Sequence, residues 1–496
     1  MKSLKNLLPN NLLHLIGEAD ININDVVFDS RKASPSSLFV ALPGSKADGS
    51  AFIKDAVSKG SVCVAAETSY DESFGVKAFL QVADARRALS DIASKFYEFP
   101  SSKQKIAAVT GTKGKTTVTY LLQSILQQTQ IEAFRIGTVN YDMVYDIFPA
   151  LNTTPESLVL QQMLKKALEH GVEYGAMEVS SHALKTCRVE DLEFEAAAFT
   201  NLSLEHTEFH PDMEDYYQAK KRLFFELGRK NKKCVICTDT AYGERLAKEC
   251  SEAKMDVWTV HPDDPSKGLI YASDIVMDIS GSSFAINLPQ GKITCKIPQP
   301  GVYNISNALI AASLALALSE DTYKSIKPGL EKQSLIPGRF ERIENSRGVN
   351  AVVDFAHTPL SLENVIKSAK ELTKGKVIAV FGCGGDRSKE KRPLMGAAAA
   401  LHADRVVVTS DNPRSENPES IIDQIFAGIP SEKKEVFRES DRKKAIEMAL
   451  SMAESGDTVI IAGKGHEENQ IIGSKVLHFS DRETIEEYFK KTYDRN

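Results

Sequence analysis

Aliphatic runs of four or five residues alternate along most of the chain with longer stretches in which apolar positions recur every three or four residues. The first pattern predicts strands buried on both faces, the second amphipathic helices. Strands are expected over 106–110, 174–179, 196–200 and 235–238 in the middle of the chain, and over 351–355, 377–381, 405–410 and 458–462 toward its end. Helices are expected over 83–97, 118–127 and 307–319. Such alternation predicts α/β layers with mostly parallel sheets, whose ligand sites lie at the C-terminal strand ends. The beginning is less regular: Val26-Val27-Phe28, Leu38-Phe39-Val40-Ala41 and Val62-Cys63-Val64-Ala65 predict a smaller, mixed sheet.

Two breaks divide this pattern, one at Phe99-Pro100-Ser101-Ser102 and one at Ile336-Pro337-Gly338. The expectation is three domains: a small mixed α/β N-terminal domain over 1–100, a central domain with a mostly parallel sheet over 101–336 that carries the phosphate loop described next, and a C-terminal Rossmann-like α/β domain over 337–496. A chain of 496 residues, 42% apolar and 26% charged, is long enough for three cores. The formal net charge of −6 lacks the positive excess of a dedicated nucleic-acid binder, so anionic ligands must be held by local groups. Seven scattered cysteines do not make a disulfide framework and suit a reducing compartment. No signal peptide and no run of about 18 apolar residues is evident, which points to the cytoplasm and against a membrane span.

Candidate chemistry begins after the 106–110 strand, at Gly111-Thr112-Lys113-Gly114-Lys115-Thr116-Thr117. Glycines let backbone N–H groups close on phosphate oxygens, the helix N-terminus adds its dipole, Lys115 reaches the terminal phosphates and the Thr116 hydroxyl can ligate Mg²⁺. The loop is a shortened variant, with Val109 where the strict pattern has glycine. Glu178 at a neighbouring strand end is placed to hold the metal. Another polar cluster, from Asn201 through His206 to Asp212, follows the 196–200 strand. Its composition alone suits a solvated loop, but position makes His206 a candidate ligand or base.

Three strand exits in the last segment carry Gly382-Cys383-Gly384-Gly385-Asp386-Arg387, Asp411-Asn412-Pro413-Arg414 and Gly463-Lys464-Gly465-His466-Glu467. The first is not a dinucleotide fingerprint, because Arg387 stands at the third glycine position. Together the exits suit a molecule with two zwitterionic ends: Arg387 and Arg414 for two carboxylates, Glu467 for a distal ammonium, with Asp411, Asn412 and Gly463 around them. A simpler reading pairs Arg414 with Glu416 on a solvated loop. Cys234 and Cys237 lie at strand spacing and read as core.

The phosphate loop, Glu178-Val179-Ser180-Ser181-His182, Asn201 to His210, Gly338-Arg339-Phe340-Glu341 and His357 resemble, in order, the shared motifs of the Mur ligases, ATP-dependent amide-forming enzymes of peptidoglycan synthesis. Asp29-Ser30-Arg31, Asp48-Gly49, Asn152-Thr153-Thr154-Pro155 and Asp354-Phe355-Ala356-His357-Thr358-Pro359 resemble the branch that adds the third amino acid. The resemblance implies that Lys115, Thr116, Glu178, His206 and Lys220 bind ATP phosphates and Mg²⁺, with Lys220 carbamylated. It implies nucleotide contacts from Asn307, Arg339, Asp354 and His357, and UDP-N-acetylmuramoyl-L-alanyl-D-glutamate contacts from Ser30, Asn152, Thr153, Thr154, Ser180 and Arg188.

The incoming amino acid implied is meso-diaminopimelate, since Asp-Asn-Pro-Arg marks the members that add it; lysine would leave Arg414 without a carboxylate. The implied chemistry is amide ligation through an acyl phosphate, by a cytoplasmic enzyme expected to be a monomer. The alternatives are an L-lysine-adding ligase, a folylpolyglutamate-synthase-like ligase, from which the first 100 residues differ, and a nucleotide switch, which lacks its Asn-Lys-x-Asp motif.

Overall fold

The computed structural model describes residues 1–44, 48–203, 205, 209–333 and 336–493, in two compact units: 1–271 with 306–329, and 272–305 with 330–496.

Unit 1 begins with a five-stranded mixed sheet. Its strands β1 (Leu12–Gly17), β2 (Asp25–Val27), β3 (Ser37–Val40), β4 (Cys63–Ala66) and β5 (Ala78–Val82) lie in the order β1-β5-β4-β3-β2. Only the β1–β5 pairing is antiparallel. All four side chains of both β3 and β4 are buried, as expected for strands covered on two faces. Helix α1 (Ala85–Phe96) is capped by Asp84, which accepts from the N–H groups of Arg86 and Arg87, and it buries Ala85, Ala88, Leu89 and Ile92 against this sheet.

The larger sheet of unit 1 follows: β6 (Lys105–Thr110), α2 (Lys115–Gln128), β7 (Ala133–Ile136), β8 (Asn140–Asp142), β9 (Ile147–Pro149), α3 (Ser157–Glu169), β10 (Tyr174–Glu178), α4 (Ser181–Lys185), β11 (Ala196–Phe199), α5 (Met213–Phe225), β12 (Lys233–Cys237), β13 (Val257–His261) and β14 (Ile270–Asp278). The strand order is β9-β8-β7-β10-β6-β11-β12-β13-β14, with only Ile270 and Tyr271 of β14 in unit 1. From β7 to β14 the pairing is parallel, so the C-terminal ends of β6, β10 and β11 share one edge. In α2, Val118, Leu121, Leu122, Ile125 and Leu126 are fully buried, the i, i+3, i+4 stripe that seats the helix behind its phosphate-facing end.

Unit 2 contains the strands β15 (Gly281–Leu288) and β16 (Gly291–Ile297), an antiparallel hairpin. Helix α6 (Val302–Leu318) starts five residues before the sequence expectation, because Tyr303, Asn304 and Ser306 interrupt the apolar run of its first turns. Its residues from Ser306 onward belong to unit 1. The main sheet of unit 2 comprises β17 (Glu341–Ile343), β18 (Asn350–Asp354), β19 (Val377–Phe381), β20 (Arg405–Val408), β21 (Val436–Arg438) and β22 (Thr458–Ala462), in the order β17-β18-β22-β19-β20-β21. It is parallel except for β17. A separate hairpin, β23 (Asn469–Ile472) and β24 (Lys475–His478), follows. Among the described residues no helix is long and apolar enough to cross a membrane.

Candidate active site

The phosphate loop of unit 1 joins β6 to α2. Gly111 and Gly114 have φ of 142° and 89°. A Cβ on Gly111 would stand 1.9 Å from Thr200 Oγ1, and one on Gly114 2.4 Å from Asn307 Oδ1, so both positions require glycine. The loop is clamped from the end of β11. The Thr200 hydroxyl donates to Lys113 O (2.6 Å), Lys113 N donates to Asn201 Oδ1 (3.0 Å), and Thr112 N donates to Asn201 O (2.9 Å). Lys113 is held by Glu205 at 2.9 Å. Lys115 Nζ donates to Gly111 O and Thr112 O at 2.9 and 3.0 Å.

Lys220, on α5, is fully buried, and its Nζ donates to Gly111 O at 2.9 Å. Burial, reinforced by the charge of Lys115, holds its ammonium pKa well below the usual lysine range. The sequence run Lys220-Lys221-Arg222 suits a surface lysine equally well; the helix instead turns Lys220 inward, over the Tyr216 ring at 4.6 Å. Glu178, at the end of β10, is likewise buried. Its carboxylate accepts from Thr138 N (2.9 Å) and Thr138 Oγ1 (3.0 Å). These bonds fix its direction rather than leaving it solvated.

Around Glu178 the loop 152–154 is tied to the β10 exit. Thr154 Oγ1 donates to Glu178 O at 2.9 Å and accepts from Ser180 N at 3.1 Å, and the Thr138 and Thr153 hydroxyls lie 3.2 Å apart. The Tyr141 hydroxyl accepts from Asn152 N and donates to its carbonyl. Ser180 caps α4. Arg188 donates to Thr154 O at 2.9 Å and pairs with Glu156 at 2.8 Å. Glu190 is engaged by Arg222 and Arg87, so Arg188 is not its partner. Ser30 lies just after β2, in a turn capped by Asp29; the Arg31 guanidinium holds the Asp29 carboxyl down at about 2.

In unit 2 the exits of β19, β20 and β22 carry Arg387, the loop 411–414 and the loop 463–467. Arg387 is exposed. Arg414 has φ 50°, a strained value for a side-chain-bearing residue, and its guanidinium donates to Gly385 O at 2.7 Å. Glu416 does not neutralise it. The buried Arg392 takes both Glu416 oxygens, at 2.8 and 2.9 Å, and holds that carboxyl at about 2. Asp411 receives Asn412 N at 2.6 Å, and a Cβ on Gly463 would stand 2.7 Å from Asp411 Oδ2. The Asn412 amide donates to Glu467 Oε2 at 2.8 Å. On the β18 side, Asp354 accepts from Phe340 N at 2.7 Å, the Arg339 guanidinium lies 4.9 Å from the Phe355 ring, and His357 Nδ1 lies 2.8 Å from Phe355 O.

Three families match the chain in succession: the Mur ligase family, catalytic domain, over 22–97; the Mur ligase middle domain over 109–315; and the Mur ligase, glutamate ligase domain over 338–465. The UDP-N-acetylmuramoyl-L-alanyl-D-glutamate--2,6-diaminopimelate ligase of Clostridioides difficile (strain 630) is 40% identical over 485 residues, 97% of this chain and 98% of that protein. The chain is a Mur ligase. A solved structure of a UDP-N-acetylmuramoyl-L-alanyl-D-glutamate--2,6-diaminopimelate ligase covers 99% of both chains at 30% identity, with a TM-score of 0.69. A folylpolyglutamate synthase from Mycobacterium tuberculosis, complexed with ADP and AMPPCP, covers 76% of this chain at 15% identity with a TM-score of 0.62, a likeness of fold alone.

In this Mur ligase, unit 1 brings together the loop from Gly111 to Thr117, Glu178, Lys220, Asn307, Thr153, Thr154 and Ser180. Unit 2 gathers Arg387, Asp411, Asn412, Arg414, Gly463 and Glu467 at three adjacent strand exits. His206 lies outside the described residues. Sequence reasoning assigned no role to Asn201, which buttresses the phosphate loop, or to His210. The buried His210 ring bridges Asp215 Oδ2 (2.6 Å) and Ser181 Oγ (2.9 Å), and burial lowers its pKa. It also missed the cations Arg392 and Lys464, both fully buried. The signal available for Asn201 and Lys464 was a place two positions after a strand end, and for Arg392 a place in a first helical turn; His210, three residues before α5, carried no such signal.

Proposed function

We propose that this Mur ligase joins meso-diaminopimelate to UDP-N-acetylmuramoyl-L-alanyl-D-glutamate at the expense of ATP, in the cytoplasm and as a monomer. The observation that carries the choice of amino acid is Arg414: Glu416 is occupied by Arg392, so among the described residues the Arg414 guanidinium hydrogen-bonds the neutral Gly385 carbonyl, feels the Asp386 carboxylate as a nearby charge, and is available for a ligand carboxylate. Asp411, Asn412 and Gly463 shape the same exits, Arg387 offers the second carboxylate contact, and Glu467 the ammonium contact. Lysine, with no second carboxylate, would leave Arg414 unpaired. Against the folylpolyglutamate alternative stand the first 100 residues, where Ser30 is assigned here to the uridine end.

The substrate carboxylate attacks the γ-phosphorus of ATP and ADP leaves. The amine of the amino acid then adds to the acyl phosphate carbonyl, phosphate departs, and the nitrogen loses its proton. The backbone N–H groups of 111–117 cradle the phosphates, Lys115 leaves its loop carbonyls for the γ-phosphate, and Thr116 Oγ1 and the Glu178 carboxylate supply hard oxygen donors. This set fits Mg²⁺, which keeps most of its shell as water and phosphate and so needs no all-protein cage; His206 would be the further ligand. Bound there, Mg²⁺ would neutralise phosphate charge.

Burial favours the uncharged amine of Lys220, the form that adds carbon dioxide, and carbamylation would give the site another carboxylate. Asn307, Arg339, Asp354 and His357 bind the nucleotide, and Asn152, Thr153, Thr154, Ser180 and Arg188 the muramoyl-dipeptide. Mass spectrometry of the nucleotide-sugar product tests the assignment: a gain of one diaminopimelate less water, lost on chelation of divalent cations, is expected. An unchanged nucleotide sugar would refute it.

A further inference from the structure

Glu467 can recognise an ammonium only if its carboxylate is held with one oxygen toward the ligand, and the geometry points to Lys464 as the residue that holds it. Lys464 lies at the exit of β22 and is fully buried, although nothing in the reaction proposed above uses its charge. Its ammonium donates to three acceptors: Asn469 O at 2.6 Å, Asn412 Oδ1 at 3.2 Å and Glu467 Oε2 at 3.3 Å. Three N–H groups meeting three acceptors leave it no donor for a ligand, so it acts through its neighbours.

The consequences for those neighbours are specific. Asn412 Oδ1 accepts from both Lys464 Nζ and Ile471 N (3.0 Å), which fixes the amide orientation and turns Nδ2 toward Glu467 Oε2 at 2.8 Å. Glu467 Oε2 therefore has two fixed donors, whereas Oε1 makes no hydrogen bond among the described residues and the side chain remains 37% exposed. The same ammonium ties the loop 463–467 to the first residue of β23. That hairpin also grips the 411–414 loop through Gln470 Nε2 to Asp411 O (2.8 Å) and Arg414 N to Ile471 O (3.0 Å). A buried cation costs desolvation energy that an apolar side chain would not, so its retention here has a positional purpose.

We propose that Lys464 is a positioning residue for amino-acid selectivity: it orients Glu467 and Asn412 so that Oε1 alone meets the second amino group of the incoming substrate. This rests on the reading of the 384–387, 411–414 and 463–467 loops as the amino-acid pocket. The test measures phosphate release by the full chain at saturating ATP and UDP-N-acetylmuramoyl-L-alanyl-D-glutamate, comparing meso-diaminopimelate with 2-aminopimelate, which lacks the second amine.

Lys464→Met should raise KM for diaminopimelate about tenfold or more with kcat and the KM for ATP within about twofold, and should lower the kcat/KM preference for diaminopimelate about tenfold. Glu467→Gln should lower the same preference, and adding Lys464→Met to it should lower it no further. Equal losses on both amino acids, or additive losses in the double variant, would overturn the proposal. Lys464→Gln, which keeps an N–H donor, carries the same comparison if Lys464→Met does not fold; failure of both to fold would mark Lys464 as a structural strut and also overturn it. Indifference of the wild-type enzyme to diaminopimelate would instead sink the substrate assignment, whereas wild-type dependence with an unchanged preference in the variants would sink only the role of Lys464.

Discussion

Around the phosphate loop of unit 1 the clamping contacts run largely to backbone: Thr200, Asn201, Lys115 and Lys220 all bond to carbonyls or N–H groups of residues 111–113. At the proposed amino-acid loops of unit 2 the contacts run more between side chains, Arg392 to Glu416, Asn412 to Glu467, and Lys464 to Asn412 and Glu467. On the assignment proposed above, the difference follows from what each region binds. A triphosphate presents oxygens in every direction, and a loop of N–H groups with one lysine suffices whatever the other substrates are. An amino acid must be told from close analogues, and that discrimination comes from a few charged groups whose orientation is fixed by further buried charges.

The comparison is broken or sharpened by substitution. Lys115→Ala should reduce phosphate release at least about a thousandfold with every amino acid tested, because it removes charge stabilisation at the transferring phosphoryl group. Arg414→Ala should lower kcat/KM for diaminopimelate about a hundredfold while leaving the KM for ATP nearly unchanged. A parallel rise in both KM values would dissolve the distinction between the regions. Gly114→Ala, whose methyl would meet Asn307 Oδ1 at 2.4 Å, should raise the KM for ATP about tenfold and leave the amino-acid preference intact.

The smallest effect concerns stability. Burial and the Arg339 charge lower the His466 pKa to about 4 from an ordinary 6.5. As pH falls from about 6.5 to 4 the unfolded chain takes up this proton before the folded one does, so stability is lost across that window, by about 2 to 3 kcal/mol at its lower end. Thermal melts should show a drop of a few degrees between pH 7 and 4.5 that is absent in His466→Gln.

Much of this was legible in the sequence. The strands ending at Thr110, Glu178 and Ala462 are continuous apolar runs, and the motif residues follow them directly, so both strand and site could be read from one pattern. What escaped was decided by packing. Lys220 sits in a basic run that suits a surface, and only the inward turn of α5 beneath Gly111 buries it. Glu416 is as plausible a partner for Arg414 as for Arg392 until the first turn of the 391–402 helix places Arg392 against it. Arg188 has Glu190 and Asp191 beside it in sequence, yet Glu156, 32 positions away, is its partner. Lys464 reads as part of a glycine-rich loop, and its buried position follows from the hairpin that crosses it.

The central claim is that the unit 2 loops select a doubly zwitterionic amino acid for a ligation powered by the unit 1 loop. It is tested most directly by initial rates of phosphate release from ATP with UDP-N-acetylmuramoyl-L-alanyl-D-glutamate, in the presence of meso-diaminopimelate, L-lysine, L-ornithine or no amino acid. Release that depends on diaminopimelate and is far slower with lysine or ornithine is the predicted result. Release equal with lysine, or indifferent to all three amino acids, would contradict it.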